Sequence, residues 1–196
     1  MRSEALPMRR VVGQLGAMYF VAEGPDGLYL IDQHAAHERI LYEKLMAEQT
    51  HHQVASQSLL DPITFTPMSQ YAGLLAEYAA TLGELGFVLE PFGGTTYLVR
   101  AIPSVLHRTD PTQALQEVLE GLTQDEDLVG GEREARLVRV ICKRAAIKGG
   151  QVLSLIEMRE LVRQLEGCSS PRTCPHGRPT MVLLSASQLE KFFNRR

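Results

Sequence analysis

Residues 28–43 of this chain run Leu-Tyr-Leu-Ile-Asp-Gln-His-Ala-Ala-His-Glu-Arg-Ile-Leu-Tyr-Glu. An apolar stretch passes without a break into helix-forming sequence that carries two imidazoles and three acids. Leu28, Leu30 and Ile31 with Tyr29 predict a buried strand. Ala35 to Glu48 has no Gly or Pro, so a helix is expected to begin near His34. Asp32 then stands at the strand end. On the helix His34 and Glu38 are four apart and share a face, His37 lies beside them, and Glu43 begins to rotate away. His34 and Glu38 are therefore able to share a metal ion. The plainer reading also stands at this point: Asp32 caps the helix, Glu38 and Glu43 are solvated, and the histidines are satisfied by hydrogen bonds.

Further donors lie far along the chain. In Cys174-Pro175-His176-Gly177-Arg178-Pro179 a thiolate and an imidazole are two residues apart, and in an extended chain they project to the same side. Zinc favours such a pair. Cys142 is a third candidate, in Ile141-Cys142-Lys143. The remaining cysteine, Cys168, has no donor beside it and reads as a small buried hydrophobe. Three cysteines in 196 residues argue against a disulfide framework and fit a reducing, cytoplasmic setting. Two familiar zinc-enzyme signatures fail. His37-Glu38-Arg39-Ile40 is followed by Leu41 where a zincin needs His, and no Cys-x-x-Cys follows the His-x-Glu that a nucleobase deaminase would require.

Read together, Asp32-Gln33-His34-Ala35, two residues, Glu38, four residues and Glu43 resemble the endonuclease motif in the C-terminal domain of nicking members of the MutL mismatch-repair family. Ile141-Cys142-Lys143 is similar to that family's Ala-Cys-Lys/Arg segment, with Ile where a small residue is usual. Cys174 to Pro179 resembles its Cys-Pro-His-Gly-Arg-Pro segment, and Phe193-Asn194-Arg195 its terminal Phe-x-Arg. The resemblance implies a latent endonuclease that nicks one strand of duplex DNA, with manganese or magnesium for catalysis and zinc nearby. It implies catalytic roles for Asp32, His34 and Glu38, and a metal set of His34, Glu38, Cys142, Cys174 and His176. Hard carboxylates suit manganese or magnesium, whereas thiolates select zinc. It also implies a homodimer, a mismatch-recognition partner and an N-terminal ATPase domain. None of that ATPase's glycine-rich motifs occurs here, so the chain reads as the C-terminal domain.

The elements expected along the chain are mixed rather than regularly alternating. Val11 to Ala22 and Gly27 to Ile31 flank Gly24-Pro25-Asp26-Gly27 and predict a hairpin feeding the motif helix. Ser69 to Leu85 has helical spacing, and Phe87 to Leu89 and Tyr97 to Ile102 read as strands around Gly93-Gly94. Helices are expected at Pro111 to Leu122, Glu132 to Lys148 and Ser154 to Leu165, the last ended by Gly167. The apolar face of Ser154 to Leu165 reads as core and is also the candidate dimer surface. Met181 to Leu184 reads as a strand and Ser187 to Phe193 as a helix. The class is α+β. Because distant metal segments must meet, 8–65 and 138–196 form one discontinuous lobe and 66–137 an inserted one, which the resemblance makes a dimerisation lobe and an external regulatory lobe. There is no transmembrane run, and Met1 to Pro7 lacks the apolar core of a signal peptide.

A formal net charge of −3 argues against tight unaided DNA binding. Arg133, Arg136, Arg139, Lys143 and Arg144 form a basic stripe, which is equally a solvated face paired with Glu132 and Glu134. Arg178, beside His176, is the better phosphate candidate. Gln57-Ser58-Leu59-Leu60-Asp61-Pro62 resembles the sliding-clamp-binding segment of nicking bacterial members. Gln57 would fill a polar notch and Leu59 or Leu60 an apolar pocket, while Pro62 keeps the chain extended. Docking on a clamp would raise the local DNA concentration and offset the weak basic footprint. The alternative is a zinc-stapled, non-catalytic platform for dimerisation and clamp docking.

Overall fold

A computed structural model describes residues 10–124 and 133–195. The leader reading of Met1 to Pro7 and the pairing role of Glu132 fall outside the described residues. The chain forms two compact units, Met1–Glu43 with Ala146–Arg196, and Lys44–Ala145. Both are α+β, with antiparallel sheets throughout. No helix among the described residues is long and apolar enough to cross a membrane.

The first unit is built on a four-stranded sheet in the order β1-β2-β3-β7. Its strands are β1 (Arg10–Leu15), β2 (Tyr19–Gly24), β3 (Gly27–Asp32) and β7 (Met181–Ser185). Alternation sends Phe20, Ala22, Tyr29 and Ile31 to one face. There they pack with Ala36 and Ile40 of α1 (Gln33–Thr50) and with Met158, Leu161, Val162 and Leu165 of α5 (Leu155–Glu166). Met158, Leu161, Val162 and Leu165 of α5 are thus spent on their own unit's core, while Leu155 and Ile156 at its start stay exposed. Ser154 and Glu157 close a capping box at the start of α5, and Gly167 caps its end. The short helix α6 (Ala186–Phe192) follows β7.

The opening hairpin is a three-stranded meander. Val11 to Ala22 is broken by a turn at Gly16 and Ala17, with φ of +59° and +50°. Alanine rarely occupies that left-handed region, so Gly16 alone signalled the turn in the sequence. At the next turn Gly27 has a φ of +142°, and a Cβ there would lie 2.3 Å from the Leu184 carbonyl oxygen. The β3–β7 register, Gly27 opposite Ser185, depends on that missing side chain.

The second unit holds a three-stranded sheet in the order β4-β6-β5, formed by β4 (Ser56–Phe65), β5 (Val88–Gly93) and β6 (Thr96–Pro103). Its helices are α2 (Ala72–Glu84), α3 (Pro111–Gln124) and α4 (Arg133–Ala145). Residues 44–65 and 138–145, drawn by the sequence into the metal-site lobe, fall in this unit. Pairing of β4 with β6 and packing of α4 on α3 hold them there. At Gly121 the helices approach so closely that an added Cβ would come within 2.6 Å of Val140. The basic stripe on α4 is partly engaged within the unit. Arg136 donates to the Leu122 carbonyl and Arg144 pairs with Glu117 at 3.2 Å.

In β4 the ladder runs from Ser58 opposite Ala101 straight to Ile63 opposite Val99. Leu59 to Pro62 therefore stand out as a bulge on an edge strand, with Leu60 98% exposed.

Candidate metal centre

The site begins where β3 passes into α1. Asp32 Oδ1 accepts the backbone N–H groups of His34 at 2.9 Å and Ala35 at 3.0 Å, so this acid caps the helix. Its own N–H donates to the Thr180 carbonyl at 3.0 Å, beside β7. Gln33 is fully buried. Its Nε2 donates to the Ala17 carbonyl at 2.8 Å and approaches those of Gln151 and Lys148 at 3.2 and 3.4 Å, while its Oε1 accepts from Gln14 at 2.7 Å. The left-handed Ala17 therefore presents its carbonyl to the start of α1, and the same carbonyl takes the Gly150 N–H at 3.0 Å.

One turn along α1, the His34 and Glu38 side chains meet as their spacing predicts. His34 Nε2 lies 3.1 Å from Glu38 Oε1, and its Nδ1 donates to the Ile147 carbonyl at 2.8 Å. His37 has a different task, since its Nδ1 accepts the Ile147 N–H at 2.9 Å.

Cys174 and His176 come together by a tight turn and not, as the sequence suggested, along an extended chain. Gly177 N–H donates to the Cys174 carbonyl at 3.0 Å and Cys174 N–H to the Arg178 carbonyl at 2.8 Å. Gly177 takes a φ of +80°, which glycine alone adopts at low cost. α1 grips the loop leading into this turn. Arg39 Nε donates to the Thr173 carbonyl at 2.5 Å, and Glu43 accepts the N–H groups of Ser169 and Ser170 at 2.6 and 3.1 Å. Glu43, expected to be solvated or turned away, is thus a brace for the second half of the site.

The ligand atoms of Glu38, Cys174 and His176 lie within 4.8 Å of one another. Donors about 2.0–2.3 Å from a tetrahedral ion stand roughly 3.5 Å apart, and His176 Nδ1 is 3.4 Å from Glu38 Oε2. His176 Nε2 is buried without a hydrogen-bond partner among the described residues. A buried nitrogen in that condition is costly unless something binds it. A carboxylate, a thiol and an imidazole, two of them almost fully buried, fit zinc or another borderline divalent ion.

His34 sits against Glu38 but outside this group of three. Cys142 is buried on α4 of the second unit. Arg178 is exposed beside the turn. Cys168 is a buried thiol pushed up to about 11, by burial first and by the Glu43 charge second.

Burial alone would raise the Glu38 carboxyl. Hydrogen bonds from His176 and His34 outweigh it and hold the group at about 2. His34 is raised, chiefly by its hydrogen bond to Glu38. His37 is pushed down to about 4 by burial and by the neighbouring His34 charge. At neutral pH Glu38 is therefore a carboxylate and His37 a neutral imidazole.

Residues 12–153 match the family described as MutL C terminal dimerisation domain. The chain belongs to the MutL family. It is 40% identical over 197 residues to the DNA mismatch repair protein MutL of Symbiobacterium thermophilum, covering 98% of this chain and 31% of that protein. Against the MutL proteins of Methanoculleus marisnigri and Methanothrix thermoacetophila it is 37% and 40% identical, over 97% of this chain and 32% and 34% of theirs. The chain spans about a third of the length of these relatives. Sequence reasoning about this MutL-family chain passed over Gln33, Ile147 and Arg39 as site residues. Gln33 and Arg39 lie inside the motif and gave a signal. Ile147 acts through its backbone N–H and carbonyl, which no side chain advertises.

Proposed function

We propose that this chain is the nicking endonuclease domain of a mismatch-repair protein, hydrolysing a phosphodiester in one strand of duplex DNA. The observation that carries the reading is the grouping of Glu38, Cys174 and the unsatisfied His176 beside His34, at the helix that Asp32 opens. Zinc would be held by Glu38, Cys174 and His176, with His34 and Cys142 as further ligands, and manganese or magnesium by the carboxylates. A divalent ion bound there supplies polarisation of a phosphate and a lowered pKa for the attacking water. Around it the chain's own residues orient and neutralise. Asp32 fixes the start of α1 and keeps Oδ2 clear of the two capping bonds. Exposed Arg178 is available to a phosphate oxygen.

The unit carrying this site is the dimerisation lobe and the other the regulatory lobe. Val21, Leu30 and Val182 line up across β2, β3 and β7 on the sheet face away from the core, with Val182 54% exposed, and this row suits a second copy of the chain. The bulge Leu59 to Pro62 offers Leu60 to a sliding clamp, with Gln57 just before it. The ATPase domain and the mismatch-recognition protein complete the expected partners.

One observation favours the non-catalytic platform. Asp32 Oδ1 is already occupied as a helix cap. Asp32→Asn separates the readings, because asparagine still caps but has no charge. In a fully folded protein with manganese and clamp present, the variant is expected to lose nicking of supercoiled plasmid. Nicking at the wild-type rate would assign Asp32 to the cap alone and favour the platform.

A further inference from the structure

The backbone of Ile147 serves both histidines of the motif helix at once, through two successive peptide groups. Its carbonyl accepts from His34 Nδ1 at 2.8 Å, and its N–H donates to His37 Nδ1 at 2.9 Å. Carbonyls and carboxylates accept only from protonated nitrogens, so the charged His34 ring donates Nδ1–H to Ile147 and Nε2–H to Glu38, 3.1 Å away, and an ion bound at Glu38 would displace the Nε2 proton and leave the one on Nδ1. An N–H donates only to a bare nitrogen, so the His37 proton is on Nε2. One residue's backbone thereby makes Nδ1 the protonated nitrogen of His34 and the bare nitrogen of His37, three residues apart.

That stretch of backbone is itself held. The following residues are tied back by Gly150 N–H to the Ala17 carbonyl and by Gln33 to the Lys148 and Gln151 carbonyls. On the Ile147 N–H side, the partner in the structure is the His37 ring.

We propose that His37 is a positioning residue for the metal centre: by anchoring the Ile147 backbone it holds the carbonyl that fixes the Nδ1 proton and ring orientation of His34, so that Nε2 is the nitrogen presented to Glu38 and to an ion. The reading rests on His34 belonging to the proposed centre. Partners of this kind, which fix the far nitrogen of a ligating imidazole, commonly change metal affinity by 10–100-fold when lost. Glutamine at position 37 also offers an acceptor oxygen to the Ile147 N–H, whereas leucine fills similar space and offers none.

The test is ¹⁵N NMR of the imidazoles in the zinc-loaded protein, with manganese and zinc binding measured on the same samples. Wild type and His37→Gln are expected to show His34 protonated at Nδ1. His37→Leu is expected to give a mixed tautomer and at least tenfold weaker metal binding. A wild-type His34 protonated at Nε2 overturns the proposal without any variant, and so does a folded His37→Leu protein with unchanged tautomer and affinity. His34→Ala serves as the separate control. Unchanged metal affinity there removes His34 from the centre, while the tautomer measurement still decides whether His37 sets the ring.

Discussion

Glu38, His34 and His37 lie within five residues, yet their titrations pull stability in different directions. His37 is held down at about 4, so between 6.5 and 4 the unfolded chain binds a proton that the folded chain refuses. Stability is therefore lost as pH falls through that window, by about 3 kcal/mol for a shift of this size. Glu38 is held at about 2, so its contribution is full above 4.5 and is lost as pH falls toward 2. His34 is raised, so its contribution is full below 6.5 and is lost as pH rises through its folded value. For metal-free protein, urea midpoints measured from pH 7 to pH 4 are expected to fall in wild type and to fall less in His37→Gln. Equal slopes would show that His37 is not held neutral. At the other half of the site, Cys174→Ser and His176→Ala should lower both bound zinc and the melting temperature, since structural zinc contributes on the order of 10 kcal/mol in small domains. Unchanged melting in zinc-free protein would mean that the three donors hold no structural ion.

Among the elements, the β3–β7 pairing has the least room to yield. Gly27→Ala would drive a Cβ against the Leu184 backbone and force φ +142° on a residue with a side chain. A loss of about 3 kcal/mol is expected, read as a lower thermal midpoint; an unchanged midpoint would show that the strand end can slide. Elements whose information is local were legible in the sequence. α5 was marked by its periodic Leu155, Met158, Val162 and Leu165 and by Gly167 at its end. The start of α1 was marked by Asp32 ahead of helix formers, and the meeting of His34 with Glu38 by their spacing. What stayed hidden depends on distant partners. The Gly16–Ala17 turn is sustained by Gly150 and Gln33, and the gap between His34 and Ile147 is 113 residues. The Cys174–Arg178 turn was misread as extended because Gly177, the residue that permits it, follows the two donors instead of separating them.

At the scale of the molecule, the outer row Val21, Leu30 and Val182 predicts the state of association. Light scattering should give twice the chain mass, and Leu30→Asp with Val182→Asp should give a folded monomer by placing charge in the row. A wild-type monomer at tens of micromolar would count against a stable interface, which should be filled at about that concentration. The arrangement of the two units along the chain also has a consequence for synthesis. Lys44–Ala145 is one continuous stretch, whereas its companion needs both Met1–Glu43 and Ala146–Arg196. β3 lies between β2 and β7, so one of its edges stays open until residues 181–185 have been made. Cys174 and His176 also come late. On the ribosome the inserted unit is therefore able to close first, while the motif helix waits with half its donors missing. A metal held by Glu38, Cys174 and His176 could be captured only once residue 176 has been made, so the order of synthesis keeps the proposed centre unassembled until then.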